Sequence, residues 1–336
     1  MKLVRIHTTL LILFLSFLAR GQQDVQLSQQ HFSRININPS ATEVSNYANA
    51  YLFARQQWIG FEGAPSTQMF NVHGYMEEIR SSLGLSFVND AVGNNRYLNL
   101  MFAYAYHVKT GEESTLSLGL SAGLVNRRFG GDLLTNMPEL CPEIIEMLQN
   151  GKSVYRPDVN FGLTYSTPKF AFGISATHLT RYLYSKDEWF RLPLHGYAFI
   201  EYGIDFTEDI RFSPRAQLMA ALSSVDTVSI MNRVDALVDL GGTVSLKNRL
   251  WFGGSFRFYP DLKNGNTITE QIGGSSFTAM VGIHLGPNIR VGYSYDYKLG
   301  RTFQNVKTYG SHEIMLNYRM RVTEVQTAEA TPRFFE

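Results

Sequence analysis

Histidine, cysteine, serine and paired carboxylates are the side chains that could do chemistry in this 336-residue chain, and their spacing argues against it. The eight histidines are scattered. They form no H-E-x-x-H helix, no pair at metal-ligand spacing and no set with a cysteine. His7 falls in the leader, and the others read as strand caps or hydrogen-bonding groups inside a lumen rather than as metal ligands. No G-x-S-x-G nucleophile elbow is present. A serine and a histidine on adjacent strands would leave no local signature, and Ser311 beside His312 offers adjacency alone. Gly84 and Gly253-Gly254 read as strand glycines, not phosphate cradles. Glu112-Glu113 and Asp187-Glu188 read as solvated carboxylates in turns. The single cysteine, Cys141, excludes an internal disulfide framework. The expectation is a protein without catalytic residues, metal or cofactor.

The ends and the composition say where such a chain belongs. Lys2 and Arg5, the apolar run Leu10 to Ala19 and the small residues around Gly21 form a secretory signal over 1–21, so the mature chain is expected to begin near Gln22. No later apolar run approaches the ~20 residues a membrane helix needs. That leaves a soluble protein or a membrane β-barrel. Charged residues make up only 18% and aromatics 13%, with 28 glycines, 18 tyrosines and 23 phenylalanines, a composition of strands and tight packing. A mean hydropathy of −0.12 does not oppose the barrel, because lipid-facing and lumen-facing residues average out along each strand. A net charge of +1 gives no reason to propose nucleic acid as a partner.

Period-two alternation then recurs throughout. In NIRVGYSYDY one face carries Ile289, Val291, Tyr293, Tyr295 and Tyr297, and the other Arg290, Gly292, Ser294 and Asp296. TLSLGLSAGL sets Leu116, Leu118, Leu120, Ala122 and Leu124 against Ser117, Gly119, Ser121 and Gly123. Apolar faces that end in Tyr or Phe, opposite faces that hold charges and glycine, and connections of alternating length predict an all-β transmembrane barrel of about 14 antiparallel strands. The expected boundaries are an N-terminal periplasmic or lumenal segment at 22–45, the barrel at 46–320 and a periplasmic tail at 321–336, with both termini periplasmic. The strands expected at 83–89 and 97–107 leave 90–96 between them. The long loop 129–158 contains helical apolar spacing at Leu140, Ile144, Ile145 and Leu148. A lumen this wide would leak unless blocked. The candidate plugs are the entry segment Gln22 to Ala41, the 129–158 loop and a bound partner.

One stretch, RQQWIGFEGAPSTQ from Arg55 to Gln68, fits no catalytic pattern and falls at the first long loop. Two readings of it stand side by side. In one, Gly60 and Gly63 permit positive φ, Pro65 stiffens the return, Trp58 wedges at the interface or under the loop, and Arg55 with Gln56, Gln57 and Gln68 hydrogen-bonds across the lumen mouth. In the other, Trp58 and Arg55 anchor a docking face. Together with QLSQQHFSRININPSA and its Asn38-Pro39, the run Leu83 to Gly93, PDVNFGLTY and GSHEIML, the stretch resembles the PorP/SprF family of the type IX secretion system and gliding motility in Bacteroidetes. The resemblance implies an outer-membrane barrel that assists secretion or surface attachment of a cargo, such as an adhesin with a C-terminal sorting domain. It also implies contact with other secretion components, and no enzymatic activity. The alternative expectation is a diffusion or uptake channel for solutes.

Overall fold

Strand β1 (Tyr47–Gln56) shows how the wall is made: Tyr51, Phe53 and Arg55 turn inward and are buried, while Leu52 and Ala54 turn outward and are exposed. The computed structural model describes residues 24–42, 44–45, 47–129, 153–184, 192–222, 234–247, 249–260, 275–299 and 308–321. The remaining strands are β2 (Ser66–Met76), β3 (Ser81–Val92), β4 (Asn95–Lys109), β5 (Thr115–Phe129), β6 (Ser153–Ser166) and β7 (Phe170–Thr177). They continue as β8 (Leu194–Tyr202), β9 (Ile204–Thr207), β10 (Ile210–Leu222), β11 (Val234–Leu246), β12 (Leu250–Phe258), β13 (Ser276–Leu285), β14 (Ile289–Lys298) and β15 (Ser311–Arg321).

All fifteen strands of the described residues join one antiparallel sheet, and β15 pairs with β1 from Tyr47↔Arg321 to Gln56↔His312, closing the cylinder. β8 and β9 both pair with β10 and make a single stave interrupted at Gly203, so the barrel has fourteen staves. Closure leaves no sheet edge, the condition for putting strands in a bilayer. None of the described helices is long and apolar enough to cross a membrane.

The outer face is the greasy one. On β5, Leu118, Leu120 and Leu124 are exposed while Ser117, Ser121 and Val125 are buried inside. On β15, Ile314, Leu316, Tyr318 and Met320 point out, opposite buried Glu313, Met315 and Asn317. Exposed Tyr104, Tyr106, Tyr165, Tyr202 and Tyr318 lie toward one end of the staves, and Tyr155 and Tyr297 toward the other, as interface girdles do.

At the first of these ends the connections have two to five residues, from Glu77–Arg80 to Gly286–Asn288. The opposite end carries the longer ones, with one exception. β3 and β4 extend past their expected ends and meet in the two-residue turn Gly93-Asn94, where Gly93 has φ 55°. β6 likewise begins at Ser153, so the expected 129–158 loop shortens to 130–152; its helical apolar spacing and Cys141 lie outside the described residues. So do the signal 1–21, the tail beyond Arg321 and Asp187-Glu188.

The lumen is filled by the chain itself. Residues 24–42 run down its axis, with Asp24 against Tyr197 near the long-loop end and Thr42 near His107 at the short-turn end. The staves begin and end at the short-turn side, and the segment ahead of β1 reaches the opposite mouth. The interior is also less wet than the alternation suggests. Leu27 packs with Tyr51, Phe53, Met69, Val88, Trp251, Met280 and Met315, and Phe32 joins this inner core. Ile37 packs with Tyr197, Met219 and Leu237. The plug supplies apolar partners that a water-filled lumen would lack, so bulky apolar groups are tolerated on the inner wall.

Candidate functional site

The plug is held by polar contacts around the wall. Arg55, on the inner face of β1, forks onto Glu313 of β15 at 3.1 Å, onto Asp296 of β14, and onto the Ser28 hydroxyl of the plug. Glu313 also accepts the backbone N–H groups of Ser28 and Gln29, at 2.7 and 2.8 Å. All four side chains are buried. A planar guanidinium suits this corner because it can meet two carboxylates and a hydroxyl at fixed angles. Across the lumen, Arg34 of the plug reaches Glu201 of β8 at 2.8 Å and stacks over Phe199. Arg257 of β12 donates to Asp239 of β11 at 3.0 Å and to the Leu27 carbonyl at 3.2 Å.

Asn38 and Pro39 sit at the lower part of the plug. The Asn38 amide donates to the carbonyls of Leu163 and Ile174 and to the Thr164 hydroxyl, while its carbonyl oxygen accepts from Ser40 N–H at 3.0 Å and from the Ser40 hydroxyl at 2.7 Å. The wall has no side chain where the plug touches it: a Cβ on Gly162 would overlap Asn38 Oδ1, and one on Gly119 would overlap Pro39 and Ser40. Thus the glycine in PDVNFGLTY and the Asn-Pro of the entry segment are two sides of one contact.

The rest of the Arg55–Gln68 stretch forms a short, tightly bonded loop. Gln57 N–H donates to the Pro65 carbonyl, Phe61 to Trp58, Ala64 to Phe61, and Gly93 to Gly63. Ile59 and the 309–310 segment exchange two further backbone bonds. Trp58, Gly60 and Gly63 take positive φ of 45°, 95° and 72°. Pro65 is buried, and Trp58 is half-buried with Lys298 Nζ 5.8 Å from its ring. Gln56 and Gln68 do not face the lumen; Gln68 bonds Ser66 and Asn89 on the outer wall. At its tip the loop exposes Phe61 and Glu62, and Tyr309, whose N–H donates to the Ile59 carbonyl, is 72% exposed.

At the same mouth, a cavity of about 260 Å³ opens beside Asp24, His178 and His195. His178, just after β7 with φ 61°, gives Nδ1 to Asp158 at 2.5 Å and turns Nε2 toward Asp24 Oδ2 at 3.7 Å. Burial alone would lower the His178 pKa, but the Asp158 and Asp24 carboxylates lift it to about 10. Burial would raise Asp24, yet His178 holds that carboxyl well below its usual range. Residues 24, 178 and 195 come together only in the fold, and no short-range spacing points to them. Ser311 and His312, by contrast, face opposite sides of β15. Ser311 is buried and accepts Trp58 N–H, while His312 bonds the Tyr293 hydroxyl on the outside. Adjacent strand residues cannot form a dyad.

A closed, fourteen-stave cylinder with an apolar outer belt and a chain-filled interior defines a plugged transmembrane β-barrel of the outer membrane. Residues 19–318 match the family described as type IX secretion system membrane protein PorP/SprF, and the chain belongs to that family. The family is one of secretion-system membrane proteins and not of enzymes. No curated protein matches the chain. Among solved structures, the Pseudomonas putida toluene transporter TodX is similar at 9% identity and TM-score 0.48, over 90% of this chain and 95% of that one. The CymD monoaromatic hydrocarbon channel gives 14% and 0.46, over 89% and 93%. A Pseudomonas aeruginosa FadL homologue gives 11% and 0.40, over 82% and 89%. Likenesses at this level carry no argument about what this barrel transports or holds.

Proposed function

We propose that this barrel is a docking platform of the type IX secretion system, holding or handing over a secreted cargo at the cell surface rather than conducting it through its own lumen. The observation that carries the reading is the plug. Residues 24–42 occupy the lumen, contact staves around the wall and are held by the buried Arg34–Glu201 pair and by the bonds of Ser28 and Gln29 to Glu313, which among the described residues leaves no path for a polypeptide. Engagement then falls to the mouth, where the tightly bonded 57–65 loop offers Phe61 and the 309–310 segment bonded to that loop offers Tyr309, aromatic groups of the kind enriched at protein interfaces. A cargo such as an adhesin with a C-terminal sorting domain, together with other secretion components, fits that role.

A second reading, a passage for small solutes, is favoured by the cavity of about 260 Å³ at the mouth, a volume near the lower end of ligand pockets. Two measurements separate them. In the native host, Phe61→Ala with Tyr309→Ala should leave the barrel in the outer membrane but release surface cargo and abolish its co-purification. Unchanged cargo retention overturns docking at this face. In liposomes, the purified wild-type barrel should be tight and a variant lacking residues 24–42 leaky; solute flux through the wild type supports the channel instead.

A further inference from the structure

The geometry points to a binding site for a divalent transition metal of the zinc class at the long-loop mouth, built from Asp24 of the plug, His178 of the β7–β8 connection and His195 of β8. One ligand atom from each lies within 4.8 Å of the others. In a tetrahedral complex with bonds near 2.0 Å, donor atoms are about 3.3 Å apart, so small side-chain adjustments complete the set.

The surroundings are those of a metal site. His178 donates Nδ1–H to Asp158, whose other oxygen accepts Val159 N–H and the Thr180 hydroxyl, both at 2.9 Å. That fixes the tautomer with Nε2 aimed at the cluster, the carboxylate–histidine–metal arrangement. Asp24 is oriented in the same way: Oδ1 accepts Val25 N–H at 2.9 Å, and the Tyr197 hydroxyl donates to Oδ2 at 2.7 Å. A protonated His178 between two carboxylates accounts for Asp24 and Asp158 without any ion. It does not account for His195, which is 1% exposed, has no side-chain hydrogen-bond partner among the described residues and reaches only the backbone of Pro193. A metal uses His195 as well, displacing the Nε2 proton of His178 to solvent. The adjacent cavity provides an entry route and room for a water as fourth ligand. Two ligands sit on the wall and one on the plug, so the ion would pin the plug's outer end.

The test is calorimetric titration of Zn²⁺ into the tag-free, metal-stripped barrel in detergent. One ion per chain is expected, with at least a hundredfold weakening in both His178→Ala and His195→Ala and ten- to hundredfold in Asp158→Asn. Absence of stoichiometric binding, or binding that survives both histidine substitutions, overturns the site. Should a variant fail to fold, judged by heat-dependent gel mobility, Co²⁺ added to the wild type decides. An intense tetrahedral visible band supports the site, and a six-coordinate aqua spectrum refutes it.

Discussion

Arg55 is where the stability of the plug concentrates. Its guanidinium balances Asp296 and Glu313 inside a dry corner and touches Ser28. Removing one partner of a buried pair leaves the other charge stranded, at about 3–5 kcal/mol. Arg55→Ala should therefore lower the unfolding free energy of the refolded barrel by that much, read as a fall in the denaturant midpoint at unchanged slope, and expose residues 24–42 to protease. Arg55→Lys should recover only part, since a point charge cannot fork.

At the scale of elements, the plug and the staves are fitted to one another by absent side chains as much as by present ones. Asn38, Pro39 and Ser40 lie where Gly119 and Gly162 have no Cβ. Gly162→Val puts three carbons into space the Asn38 carboxamide occupies, so overpacking of at least 1–3 kcal/mol is expected. The wall, whose β5–β6 ladder needs no glycine there, should survive while the plug is dislodged. The measurement is protease cleavage within 24–42 in a barrel that still shows heat-dependent gel mobility. An intact, protected plug in Gly162→Val would mean that the segment can shift without losing its seat. The Arg55–Gln68 stretch belongs at this scale too: Gly60 and Gly63 shape the loop, Arg55 serves the lumen, and the exposed tip carries Phe61 and Glu62.

For the whole molecule, the cylinder was legible from the chain because lipid imposes a rule on every second residue. Leu118, Leu120 and Leu124 or Ile314, Leu316 and Tyr318 face hydrocarbon whatever the details of the interior, so local alternation was enough to predict a closed barrel. The short resemblances from Asn38-Pro39 to GSHEIML likewise placed the family, because they recur in order along the chain. The interior followed no such local rule. Tyr51, Phe53 and Trp251 are inward because Leu27 and Phe32 meet them there. Arg55 finds carboxylates 241 and 258 residues away. Asp24, His178 and His195 converge from three segments. A solvent acts on each residue separately and can be read from sequence; a contact needs two distant residues at one point, and only the closed sheet with its returning N-terminal segment decides which two they are.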